Sequence, residues 1–264
     1  KVRKPLPYLS GFFEDAMKSG HDLTEGGAKY NGIGPQASGL ATSTDILCTI
    51  KQLVFEEKKC TGAELLQAVK DNWKGHEKLY AYVNSSKVHH YGNDDDYADE
   101  LFKFMFECYC KNIAGRPTPR GGQFNPGVYS VNANVAMGLN TNASLDGRKK
   151  GEAISENMGP VHTDFGSHDI SGPTALVNSL TKVDHSMASN GTLMNLRFPQ
   201  DAVSGVEGRD NLANFIEEYI DKGAMHAQFN VMSVATMKAA QKHPEDYKDM
   251  LVRVAGYSAY FVEL

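Results

Sequence analysis

Leu193-Met-Asn-Leu-Arg-Phe198, the stretch from Asn211 to Lys222, and Met225-His-Ala-Gln-Phe-Asn-Val231 follow one another in the last third of the chain. The first and third alternate apolar and polar residues, which is strand period, and the third puts His226, Gln228 and Asn230 on one side. Between them Leu212, Phe215, Ile216, Tyr219 and Ile220 recur at helical spacing, predicting a buried stripe, and Gly223 ends the helix. Strand, helix, strand predicts α/β architecture. Downstream, Ser233 caps a short helix that must finish near His243, because Pro244 follows. Leu251-Val-Arg-Val-Ala255 predicts a final strand running straight into Gly256.

Working upstream, Val128-Tyr-Ser-Val-Asn-Ala-Asn-Val-Ala-Met137 also alternates and predicts a strand, with Tyr129, Val131, Ala133 and Val135 on one face. Leu139 to Gly172 holds few apolar repeats and reads as a long loop packed over something. Helices are predicted from Thr44 to Glu57, with Ile46, Leu47, Ile50, Leu53 and Val54 on one face, and from Tyr97 to Ala114, closed by Gly115. Thr61-Gly-Ala-Glu64 is a capping-box match opening another helix through Trp73. His21 to Pro35 is too glycine-rich for a long helix.

Hydrophobic residues make up 41% of the 264 and charged residues 22%, enough for a buried core. The formal net charge of −5 argues against nucleic acid and anionic membranes, whose phosphates call for a basic face. No apolar run approaches the ~20 residues that span a bilayer. Four cysteines without a secretory signal read as reduced thiols in a cytoplasmic protein. Ser258 to Leu264 is still apolar and patterned where the chain stops, as expected of an excerpt.

Few side chains suggest chemistry. His89-His90 and Asp94-Asp95-Asp96 match no compact metal-ligand spacing and read as a solvated acidic turn before a helix. Cys108 and Cys110 stand two apart in a predicted helix, off a common face, and read as buried structural thiols. Asp184-His185-Ser186 reads as a loop with local hydrogen bonds, since triad members meet from separate elements. Gly256 has no side chain, so only its backbone could react.

Arg253-Val-Ala-Gly-Tyr-Ser-Ala-Tyr-Phe261 resembles the radical motif of the pyruvate formate-lyase-like glycyl radical enzymes. Asp146-Gly-Arg148, Gly172-Pro-Thr-Ala175 followed by Asp184-His185, Asn190-Gly-Thr-Leu-Met-Asn195 and the Gln228-Phe-Asn230 strand resemble other segments of the same family, and Gly26-Gly-Ala-Lys-Tyr-Asn31 with Gly34-Pro-Gln36 resembles the region downstream of its cysteine loop, all in family order. The resemblance implies a radical on Gly256, in a loop of Arg253, Val254, Ala255, Tyr257 and Ser258. It implies no bound cofactor: an activating enzyme with an iron–sulfur cluster and S-adenosylmethionine removes hydrogen from the glycine Cα. The unpaired electron then spreads over the flanking amide nitrogen and carbonyl, and is passed to a cysteine that attacks substrate as a thiyl.

The family's reactive cysteine sits in a Gly-Cys-x-Glu-like loop, and none of Cys48, Cys60, Cys108 or Cys110 has that context. The chain thus corresponds to about the C-terminal third of such an enzyme, expected to be inactive without the N-terminal remainder that carries the cysteine. The resemblance implies part of a ten-stranded α/β barrel, helices outside and the Gly256 loop inside, with residues 1–240 as barrel and 241–264 as radical domain. It further implies an anaerobic, cytoplasmic, homodimeric lyase acting on a small molecule, in the dehydratase, decarboxylase and C–N lyase branch. A pyruvate formate-lyase-type formate acetyltransferase and a stand-alone radical subunit that completes a partner remain alternatives. Tyr129, Val131 and Ala133 are candidates for the substrate wall, with a core role equally open.

Overall fold

The structure, a computed structural model, describes residues 4–253 and 256–263. Its helices are α1 (Pro7–Ser10), α2 (Glu14–Ser19), α3 (Leu40–Thr49), α4 (Gly62–Lys70), α5 (Glu77–Val83), α6 (Asp96–Ile113), α7 (Ala133–Leu139), α8 (Pro173–Leu180), α9 (Gly205–Asp221) and α10 (Val234–Lys242). Three strand pairs accompany them: β1 (His162–Thr163) with β2 (Gly166–Ser167), β3 (Met194–Phe198) with β4 (Ala227–Val231), and β5 (Leu251–Arg253) with β6 (Ser258–Tyr260). No helix among the described residues is long and apolar enough to cross a membrane.

α6 forms as its spacing predicts. Asp95 accepts from the Tyr97 amide at its start, and Gly115 at φ +72° turns the chain away after its end. Ala98, Phe102, Phe106 and Cys110 recur every four residues, all buried, and pack with Leu40, Ala41 and Cys48 of α3 in the main core. Tyr91 stacks on Phe102 with centroids 3.9 Å apart. Leu176, Leu180, Met194, Leu196 and Tyr219 join the same core, so the downstream elements rest on the α3–α6 pair.

The predicted Thr44–Glu57 helix exists but is not regular: α3 passes into π-helical turns from Ile50 to Glu56. Its most buried face is also polar, with Thr44, Asp45, Thr49 and Gln52 inside and Ile46 and Leu47 only half-buried. Apolar periodicity misses such a face because Asp45 and Gln52 are buried on it by tertiary partners, while Thr44 Oγ1 bonds locally to Leu40 O. Gln52 donates to Lys87 O at 2.8 Å and accepts from His89 N at 3.0 Å.

Asp45 is the centre of the arrangement. It is fully buried; Oδ1 accepts from Tyr91 N at 2.9 Å, and Oδ2 lies 3.1 Å from Nδ1 of both His90 and His168. His90 Nε2 meets Val83 O at 2.9 Å, and His168 Nε2 meets Asn84 Oδ1 at 3.1 Å. The acidic turn at Asp94–Asp96 is a helix entry as predicted, but His90 is not part of a solvated turn: it faces inward to Asp45. Burial on its own would push the His90 pKa down, yet the Asp45 charge, the hydrogen bonds to Asp45 and Val83 O and the Asp146 charge together outweigh it and hold His90 above its ordinary value. Burial would likewise raise Asp45, but the His90 charge and hydrogen bonds from both rings hold it below the usual carboxylate range.

The long loop from Leu139 to Gly172 is packed, as expected, and Arg148 holds it. That fully buried guanidinium donates to the carbonyls of Asn142, Lys149 and Glu152 and to Ser144 Oγ. Gly147 sits at φ +88°, where a Cβ would lie 2.3 Å from Asn84 Nδ2, so the Asp146-Gly-Arg148 turn requires glycine.

Two expectations are corrected. Val128 to Met137 is not a strand. Only Gly127 and Val128 bridge, to Gln36 and Thr192; Val131 then takes φ +58° and α7 begins at Ala133. Buried amides override the alternation, since Ser130 N donates to Asn157 Oδ1 at 2.6 Å and Asn134 is itself buried. The α9 stripe is also narrower than predicted: Tyr219 is buried, but Ile216 and Ile220 are 38% and 52% exposed. The helix touches the β3–β4 pair along one edge of that stripe only.

Two measurements follow from the packing. Thr61 Oγ1 accepts from Glu64 N at 3.2 Å while Glu64 Oε2 accepts from Thr61 N at 2.7 Å, a closed capping box. Thr61→Ala should cost α4 about 1 kcal/mol, seen as roughly fivefold faster amide exchange in its first turn. For the buried cluster, the raised His90 pKa contributes stability that is complete below about pH 6.5 and is lost as pH rises through the folded value. The depressed Asp45 contributes stability that is present above about pH 3.8 and is lost as pH falls through its own folded value. Exchange of the imidazole C2 protons should therefore show His90 titrating above about 6.5 in the wild type but not in Asp45→Asn.

Candidate functional site

β3 and β4 are parallel with α9 between them in sequence, the one place where the predicted strand–helix–strand unit is complete among the described residues. Their register pairs Asn195 with Gln228 and Arg197 with Asn230, and cross-strand partners in register share a face. Four polar side chains therefore stand together on one side of this ribbon, opposite the apolar side that meets α9 through Leu196, Phe198, Phe215 and Phe229.

The Gly256 loop hangs from these side chains. Asn230 Nδ2 donates to Arg253 O at 2.9 Å, and Asn230 Oδ1 accepts from Arg253 N at 2.9 Å. One side-chain amide thus copies the pair of bonds that a neighbouring strand would give β5. Gly256 N donates to Gln228 Oε1 at 3.1 Å. Gln228 Nε2 donates in turn to Asn195 Oδ1 at 3.2 Å, and Asn195 Nδ2 to Glu156 Oε2 at 3.3 Å. A line of hydrogen bonds, every donor pointing the same way, connects the Gly256 amide to a carboxylate.

Gly256 has φ +80°, a conformation that strains any residue with a Cβ. Among the described residues, its two chain neighbours aside, no atom lies within 4 Å of where that Cβ would be, so the torsion and not crowding is what calls for glycine. Beyond it β6 returns antiparallel to β5, pairing Arg253 with Ser258, and Arg253 Nη1 donates to Ser258 Oγ at 3.4 Å.

A cavity of about 550 Å³ adjoins the loop, lined by Val131, Glu156, His162, Arg197 and Arg253 among others. Arg197 Nη2 is 3.7 Å from Glu156 Oε1. Burial pushes the His162 pKa below its ordinary value, so the imidazole is neutral at pH 7. The charged groups named are then two guanidiniums against one carboxylate.

Of the residues singled out by sequence, Arg253, Gly256, Tyr257 and Ser258 lie together in the loop, while Val254 and Ala255 lie outside the described residues. Val131 reaches the cavity, although as a turn residue rather than in a strand. Tyr129 accepts from Asn190 Nδ2 at 3.4 Å, and Ala133 starts α7. The three do not form the continuous wall that strand alternation implied. Glu156 and Asn195 were missed, for different reasons. Asn195 stands at the right alternation in β3, but nothing in the sequence pairs it with Gln228; Glu156 comes from the packed loop, which has no periodic signal.

The remaining candidates are structural. Asp184 Oδ1 accepts from Ser186 N and Oγ, and buried His185 faces Thr192 Oγ1 and Leu180 O, as expected of local loop bonding. Cys110 is buried, its thiol pushed up to about 11 by burial, whereas Cys108 is exposed rather than buried as expected. The Asp45, His90 and His168 group has metal-ligand composition, but each ring nitrogen already faces an oxygen acceptor, which suits a buried ion cluster.

The family model "Pyruvate formate lyase-like" matches residues 1–138 and the model "Glycine radical" matches residues 155–262. The chain is 81% identical over 99% of its length to a (2S)-3-sulfopropanediol dehydratase of Klebsiella oxytoca, and 40% identical over 98% to a trans-4-hydroxy-L-proline dehydratase of Clostridioides difficile. It spans 32% of the length of each. The solved B12-independent glycerol dehydratase of Clostridium butyricum superposes with a TM-score of 0.90 at 41% identity, over 99% of this chain and 33% of that one. With a glycine-radical match covering the Gly256 loop and a mixed α/β fold shared with solved enzymes of this class, the chain belongs to the pyruvate formate lyase-like family of glycyl radical enzymes.

Proposed function

We propose that this chain is the radical-carrying part of a glycyl radical dehydratase whose substrate is a small sulfonated diol. The observation that carries the substrate class is the 81% identity to the sulfopropanediol dehydratase, against 40% or less to the trans-4-hydroxy-L-proline dehydratase, an isethionate sulfite-lyase and an indoleacetate decarboxylase. The cavity beside the loop supports it, because Arg197 and Arg253 outnumber Glu156 and favour an anionic substrate.

Gly256 carries the radical. Its hydrogen atom passes from Cα to the carbon radical that an activating enzyme generates from S-adenosylmethionine. The N-terminal remainder supplies the thiyl cysteine and the missing strands. There β3 and β4 take their place in a ten-stranded barrel with the loop inside, residues 241–264 form the radical domain, and the exposed Ile216 and Ile220 of α9 are covered. The enzyme works as a homodimer in the anaerobic cytoplasm. The pyruvate formate lyase-like match over residues 1–138, well upstream of the loop, favours this reading over a stand-alone radical subunit.

Activation of the full-length protein under anaerobic conditions should give a doublet paramagnetic resonance signal that collapses when glycine is α-deuterated and is lost in Gly256→Ala. The activated enzyme should dehydrate (2S)-3-sulfopropanediol in preference to glycerol or trans-4-hydroxy-L-proline. A persistent signal in Gly256→Ala would sink the radical assignment, and preference for an uncharged diol would sink the substrate class.

A further inference from the structure

We propose that Gln228, Asn195 and Glu156 form a positioning relay that stabilises the unpaired electron on Gly256 through its amide N–H. The proposal rests on Gly256 as the radical carrier, and its chemistry breaks no bond.

The argument begins with direction. A side-chain amide has a donor end and an acceptor end, and a chain of amides can polarise only when all are aligned. Here they are. Gly256 N–H gives to Gln228 Oε1, Gln228 Nε2 gives to Asn195 Oδ1, and Asn195 Nδ2 gives to Glu156 Oε2. Each bond makes the acceptor at its upstream end more electron-rich, and the carboxylate at the far end sets the polarity of the line. Gln228 is 5% exposed, so its dipole acts where water screens it little.

A radical at the glycine Cα is electron-poor and draws on the neighbouring nitrogen. A strong acceptor on the N–H raises electron density at that nitrogen and so favours the radical over the closed-shell peptide. The same bond fixes the plane of the peptide on the N-terminal side of Cα, while Asn230 fixes Arg253 from both its N–H and its carbonyl. Asn230 sets where the loop enters; the Gln228 line acts on the radical itself. Arg197 Nη2 lies 3.7 Å from Glu156 Oε1, on the oxygen that does not accept from Asn195, so the line ends at the carboxylate.

The test uses the full-length enzyme and its activating enzyme with ¹⁵N-glycine incorporated. Gln228→Met fills the same space without an acceptor, Gln228→Glu keeps an acceptor, and Glu156→Gln removes only the distal charge. Radical half-life in the absence of oxygen should fall about tenfold in Gln228→Met and about threefold in Glu156→Gln, the range for loss of one hydrogen bond or its polarisation. Gln228→Glu should retain more of the half-life than Gln228→Met. The ¹⁵N hyperfine coupling should decrease in Gln228→Met and Glu156→Gln, a change that a merely structural role for these side chains would not produce at Glu156. Wild-type half-life and coupling in both variants would overturn the relay while leaving Gly256 as radical carrier. A signal that survives Gly256→Ala would instead overturn the underlying reading.

Discussion

A fully buried carboxylate must be paired, and Asp45 is paired by two imidazoles and a backbone amide drawn from separate stretches of chain. Removing one partner from such a cluster typically costs about 3–5 kcal/mol, so the three stretches are held as one. His90 and Tyr91 lie just ahead of α6, and His168 follows the β1–β2 hairpin in the downstream half. Through this one side chain the upstream helices are tied to the loop that carries Glu156. The main core then extends from α3 and α6 under β3, which fixes the ribbon that bears the site.

The site itself is an exercise in amide chemistry. Gln228 and Asn230 are two residues apart on one strand, so they point the same way, and the spacing of the loop lets one reach Arg253 and the other Gly256. Backbone held by side-chain amides differs from backbone held in a sheet. It can be released by rotating a side chain, without unzipping a ladder. Under the proposed function, in which an activating enzyme reaches the loop before it is held beside substrate, that kind of attachment is an advantage.

Much of the fold was legible in residue spacing where one face is apolar. α6, the capping box before α4, the β3–α9–β4 order and the short helix after Ser233 all formed as the pattern implied, although α9 begins at Gly205 rather than Asn211. The pattern failed where polar groups are buried. Ser130 bonds both Asn134 and Asn157 around the turn at Val131, and a period-two reading cannot see a bond between residues 27 apart. It failed too at Ile216 and Ile220, where helical spacing marks an apolar face but says nothing about what covers it.

The sequence by itself determined the chemistry class: the glycine loop, its flanking residues and the ordered run of motifs identify the family, because a backbone radical needs glycine and little else nearby will do. It also determined that Gln228 and Asn230 share a side, since alternation is local. Only the tertiary structure decided what they hold. Glu156 comes from an aperiodic loop, Asn195 from the neighbouring strand, and Gly256 from a turn 28 residues beyond Gln228. Their alignment depends on the register of β3 against β4 and on the packing beneath, and register is a property of two strands together that neither one encodes alone.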